Sequence, residues 1–261
     1  MSERKSIPIV LCVYALKQHR VNMIMVYVYL KYSCDGYFML PKGSISCHAS
    51  ALKLSIPTFK KQLKELIRLK WIVINGKRKA YRVIGFVSLA KKLKFESYKA
   101  VEFEQKNFQS FKEFIIASVL TYFMEFKRRN ERKSEYSKRC SIMNLLSPSF
   151  SHTLPNKYLA KVLNISISTA SEYKQLAADA GYVKIRKRFS KLPIPITIPR
   201  KGLIAFLQET RINPLTVRKI KGSYFEQKPD LIESKLEIKT KTNLKKALSK
   251  QKNFRYDNKR L

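Results

Sequence analysis

The 261-residue chain carries 54 Lys and Arg against 18 Asp and Glu, a formal net charge of +36, with 45% hydrophobic and 11% aromatic residues. Such an excess makes a compact chain repel itself and calls for a polyanionic partner, nucleic acid ahead of an anionic membrane, because neutralising phosphates releases counterions. The apolar content excludes a disordered or collagen-like chain. No apolar run approaches the roughly 18 residues that span a bilayer, and no signal peptide is visible, so a cytoplasmic, nucleoid-associated protein is expected.

In chain order, an apolar segment Ile7–Leu16 precedes Val21–Tyr32, which reads as a helix although its β-branched and aromatic content also suits a strand. Turns around Cys34–Gly36 and Pro41–Gly43 lead to a short helix, Ser44–Lys53. Pro57–Leu69 is the strongest helix of this half: Ser55 can cap it, Pro57 suits the first turn, and Phe59, Leu63, Leu66 and Ile67 form one stripe. Trp71–Ile74 and Ala80–Ile84, joined through Asn75-Gly76 and the basic Lys77–Lys79, predict a hairpin.

Residues 87–110 read as a connector, with Val87–Leu93 able to form a helix. A periodic helix from Phe111 to about Lys127, with Ile115, Val119, Leu120 and Phe123 on one side, opens the second half. After the basic insertion Arg128–Arg139 and a loop to Pro155, helices are expected at Asn156–Leu163 and Ser168–Ala180. A second hairpin is expected from Tyr182–Phe189 and Ile194–Ile198, the returning strand confined to an edge by Pro193, Pro195 and Pro199. A short helix near Leu203–Leu207 precedes a Lys-rich tail from Asn213 that reads as mobile or transiently helical.

The run LAKVLNISISTASEYKQLAADAGYVKI, Leu159 to Ile185, has a mechanical role for each part. Leu159, Ala160 and Leu163 pack one helix on the next. Ile165-Ser166 turns and caps, Thr169 opens the following helix, and Ala170, Tyr173 and Ala177 face inward. Gly181 permits the left-handed backbone that ends the helix, and Tyr182-Val183 enters a strand. Leu52, Leu54, Ser55, Thr58, Trp71 and Ile72 stand 111 positions before Leu163, Ile165, Ser166, Thr169, Tyr182 and Val183, which argues for two copies of one unit. Lys70 replaces Gly181 and His48 replaces Leu159 in the first copy.

These residues resemble the helix-turn-helix of winged-helix DNA-binding proteins. The expected fold is mainly α with small β-hairpins (α+β), as two winged helix-turn-helix domains in tandem. The divisions are 1–86 for the first, 87–110 for the connector, 111–200 for the second, and 201–261 for a short helix with a basic arm. The resemblance implies that the helix after each turn enters the major groove while the hairpin wing meets phosphates. It makes Thr58, Lys60, Lys61, Gln62 and Lys64 the first copy's candidate readers, and Ser168, Thr169, Ser171, Glu172 and Gln175 the second's. Lys77, Arg78 and Lys79, then Lys184, Arg186, Lys187 and Arg188, become the candidate phosphate clamps.

Catalysis is not expected. Metal-dependent nucleases and polymerases need clustered carboxylates, yet the only Asp residues are Asp35, Asp179, Asp230 and Asp257. His19, His48 and His152 are scattered, none has Arg three residues later as a tyrosine recombinase requires, and no GxxxxGK[ST] loop occurs. Cys12, Cys34, Cys47 and Cys140 lack paired spacing and read as buried thiols, and adjacent Cys47 and His48 are poor co-ligands of one zinc. No metal or cofactor is expected. The architecture resembles plasmid and mobile-element replication initiators, so an origin-binding, sequence-specific duplex-DNA protein stands first, a transcriptional regulator second, and a basic structural RNA-binding protein third. A homodimer and contact with replication or transcription machinery are compatible with this plan.

Overall fold

The computed structural model describes residues 5–33, 37–39, 44–75, 80–95, 97–136, 151–194 and 198–242, with backbone alone at 37, 44, 75, 131–136 and 200. Two series of elements share one order. The first is helix α2 (Val21–Ser33), strand β2 (Tyr37–Phe38), helices α3 (Ser44–Ala51) and α4 (Ile56–Arg68), and strands β3 (Ile72–Asn75) and β4 (Ala80–Val83). The second is α6 (Phe111–Tyr136), β6 (Ser151–Thr153), α7 (Asn156–Leu163), α8 (Ile167–Asp179), β7 (Val183–Lys191) and β9 (Ser223–Ser234). The strands pair antiparallel in the orders β2-β4-β3 and β6-β9-β7, so the last strand lies central in both.

Matching local chemistry builds the two helix pairs. Ser55 and Ser166 cap α4 and α8, their hydroxyls accepting from the Thr58 and Thr169 amides at 3.3 and 3.0 Å. Each helix then ends in the same doubly bonded left-handed turn. Trp71 N–H donates to Leu66 O and Tyr182 N–H to Ala177 O, at 2.9 and 3.1 Å, while Lys70 and Gly181 hold φ of 57° and 74°. Lys70 therefore takes a conformation that costs a side chain about 1–2 kcal/mol. The turns after α3 and α7 agree too, with Lys53 and Asn164 at φ 53° and 56°. His48, at the place of the buried Leu159, lies between Tyr29 and Phe59 with ring centroids 5.7 and 6.1 Å away.

Helix α1 (Ile9–Lys17) packs on α6, and β1 (Lys5–Pro8), β5 (Lys99–Phe103) and β10 (Ile238–Thr240) form a third sheet with β5 in the middle. Ile7 and Ile238 both pair with Val101, so the N-terminal, connecting and C-terminal segments meet in one ladder. Phe103 reaches Tyr32, Phe108, Phe111 and Phe114, and one apolar core runs through both series. Residues 87–110 thus include the end of helix α5 (Phe86–Lys92) and a buried strand. A separate small core forms where α9 (Arg200–Glu209) packs Leu203, Phe206 and Leu207 against Leu192, Ile194 and Tyr224.

Several expectations need correction. The partner of β7 is β9, which supplies a nearly continuous ladder, whereas the return strand expected at 194–198 lies mostly outside the described residues. Residues 213–242 of the expected mobile tail are strand-forming, with β8 (Val217–Ile220) pairing β9 and Ile232 fully buried, and the tail beyond 242 lies outside the described residues. Helix α6 runs on into the expected insertion as far as Tyr136, since Arg, Lys and Glu there are good helix formers, and the rest of the insertion lies outside the described residues. Cys12 is buried, and burial pushes its thiol pKa up, but Cys47 on the open side of α3 is exposed. Cys34 and Cys140 lie outside the described residues. Among the described residues no helix is long and apolar enough to cross a membrane.

Candidate nucleic-acid interface

Helix α4 buries Phe59, Leu63 and Leu66 and turns Lys60, Lys61 and Lys64 to solvent, with Thr58 and Gln62 half-buried beside them. Its one acid, Glu65, takes Arg68 at 2.7 Å and Arg20 at 3.2 Å, and these guanidinium partners hold its carboxyl below the usual range. With that acid matched, the three lysines give this face a positive field. Thr58 Oγ1 accepts from Ser55 Oγ at 2.8 Å, so this hydroxyl belongs to the cap before it belongs to any base.

The equivalent helix α8 is electrostatically different. It carries Glu172 and Asp179, and its one cation, Lys174, is only 3% exposed. Lys174 Nζ donates to the Leu154 carbonyl, and burial lowers its pKa against the opposing pull of Asp230. Ser168, Ser171, Glu172 and Gln175 are exposed and Thr169 half-buried, so the expected readers do share a surface. Gln175 Nε2 donates to Asp179 Oδ1 at 2.7 Å, and Ser166 Oγ lies 2.7 and 2.8 Å from Ser168 and Thr169 hydroxyls. An adenine would have to displace the Asp179 contact before Gln175 could make its paired hydrogen bonds.

Positive charge in the second series lies instead on the ribbon. Lys184, Arg186, Lys187 and Arg188 are all exposed on β7. Strand alternation puts Lys184, Arg186 and Arg188 on one face and Lys187 on the other. Arg186 is already paired, at 2.9 Å, with Glu233. Lys77, Arg78 and Lys79 of the first series lie outside the described residues, between β3 and β4. The sequence reading missed Lys191 at the end of β7 and Arg218, Lys219 and Lys221 on or beside β8, which extend the ribbon's cationic surface. Their signal was present as basic residues interleaved with Val217, Ile220, Tyr224 and Phe225, but the strand partner is more than thirty residues from β7.

No family model, curated protein or solved structure matches the chain.

Proposed function

We propose that the protein is a non-enzymatic, sequence-specific double-stranded DNA-binding protein made of two winged helix-turn-helix units, acting in the cytoplasm at the nucleoid. The observation that carries this reading is the doubled plan. Helix–strand–helix–helix–strand–strand recurs with the last strand central, and the capped helices α4 and α8 start and stop 111 residues apart. A helix presented after a tight turn and flanked by a basic ribbon suits a major groove with phosphates beside it. The net charge of +36 supplies the affinity that such a site needs.

The two units would bind differently. The first presents Lys60, Lys61 and Lys64 with Thr58 and Gln62, so α4 both anchors and reads, assisted by Lys77, Arg78 and Lys79. The second presents Ser168, Thr169, Ser171, Glu172 and Gln175 on an acidic helix, so its attraction to the duplex comes from Lys184, Lys187 and Arg188. Glu172 near a base would favour cytosine, whose N4 amino group donates, and would penalise an adjacent phosphate. Two groove-reading units in one chain support origin recognition in plasmid or mobile-element replication, ahead of transcriptional control.

Binding-site selection from random duplexes, followed by footprinting and a genome-wide binding map, tests this. The expected result is one enriched sequence with a two-part footprint at an origin. Enrichment at promoters would move the process to transcription. Absence of any enriched duplex, with tight binding to structured RNA, would overturn the DNA reading.

A further inference from the structure

The ribbon of β7, β9 and β8 has two unlike faces at its outer end. On one, Leu192, Val217 and Tyr224 are covered by α9. Glu226 also lies on that covered face, where it takes Lys228 at 2.6 Å, so the acid of this stretch is matched.

The opposite face carries different chemistry. Register places Arg218, Phe225 and Lys191 in one row across three strands, with Phe189 opposite Gln227 in the next row and Ile220 opposite Ser223 in the previous one. Phe189 is 42% exposed and Ile220 39% exposed, and neither these two nor Phe225 packs into either apolar core. Alternation along β7 puts Lys187 on this side as well, but the register shifts there and leaves Pro229 and Asp230 of β9 opposite it, so the acid-free stretch begins at Phe189. From Phe189 outward its strand positions therefore hold two aromatic rings, two cations and no acid.

We propose that this face binds single-stranded nucleic acid, with unpaired bases stacked on Phe189 and Phe225 and phosphates held by Lys191 and Arg218. Phe189 and Phe225 are diagonal cross-strand neighbours, about 7–8 Å apart at Cα, so one short stretch of strand covers both. Flat aromatic faces accept any base once it is unstacked, and the flanking cations track the backbone between bases. A duplex offers no base faces to such a platform, since its bases are stacked inside. Charge complementarity selects a polyanion over an apolar protein partner, because Lys191 and Arg218 flank the Phe225 ring on both sides. The proposal is independent of the duplex reading: it involves different side chains, and either can fail alone.

The test uses the full chain and fluorescence anisotropy with three probes: an oligothymidylate of about 20 nucleotides, an abasic strand of equal length, and a random duplex. The wild-type protein is expected to bind the oligothymidylate about tenfold or more tighter than the abasic strand. Phe189→Ala should remove most of that preference, Phe189→Trp should retain it, and duplex affinity should stay unchanged in both. Phe225→Ala should act like Phe189→Ala; since Phe225 is the less exposed ring, its thermal melt is recorded alongside, and Phe189 alone decides the outcome if Phe225→Ala unfolds. Equal affinity of the wild-type protein for thymidylate and abasic strands would overturn the proposal. So would a Phe189→Ala loss that is the same for the duplex as for the single strand.

Discussion

Lys184→Gln combined with Arg188→Gln removes two exposed cations from one face of β7 while leaving the Arg186–Glu233 pair intact at 2.9 Å. If both meet phosphates, each contributes about 0.9 to the slope of log affinity against log salt, so the slope should flatten by about 1.8. Between about 50 and 200 mM salt that amounts to roughly a twelvefold smaller loss of affinity than for the wild-type protein. Arg186→Gln should change the slope by less than half of one contact's worth, because Glu233 already offsets that charge. It should cost at most about 1 kcal/mol of stability, as expected for an exposed pair. The assay is duplex titration at four salt concentrations, on the selected site and on random sequence, with a thermal melt of each variant. The double variant should weaken both duplexes equally, since phosphates carry no base information. An unchanged slope in the double variant, or a full-sized change from Arg186→Gln alone, would refute the assignment of clamps. A loss confined to the selected site would mean that the ribbon reads bases.

Ile232→Ala, at a fully buried position in the central strand β9, should destabilise the second unit by about 2–5 kcal/mol in denaturant melts. For the same reason a chain ending after Thr210 should lose that unit's protection from protease, whereas a chain ending after Thr242 should keep it and bind with a shallower salt slope. Gly181→Ala meets nothing within 4 Å and holds φ +74°, so its cost is purely the left-handed backbone, about 1 kcal/mol. Lys70→Gly at the equivalent turn should stabilise by about half that, and a destabilising Lys70→Gly beside a destabilising Gly181→Ala in paired melts would deny that the two turns are alike.

The sequence by itself determined the local units. Ser55 and Ser166 with Thr58 and Thr169 specify where α4 and α8 begin, because a side-chain oxygen three residues back satisfies one of the first-turn amides that lack an intrahelical partner. The stripe Phe59, Leu63 and Leu66 specified the buried face of α4, and the 111-residue interval exposed the doubled plan, since both are written in spacing along the chain. Tertiary structure decided what spacing cannot encode. Strand β7 found its partner in β9, beyond α9 and β8, because ladder bonds are made by backbone groups that look alike in every sequence. The connector became a buried strand only through β1 and β10, which arrive from opposite ends of the chain. Lys174 is buried with its ammonium on the Leu154 carbonyl, which leaves the exposed surface of α8 acidic where that of α4 is basic. Burial and strand pairing depend on which distant surfaces meet, and that is settled when the chain collapses on one core.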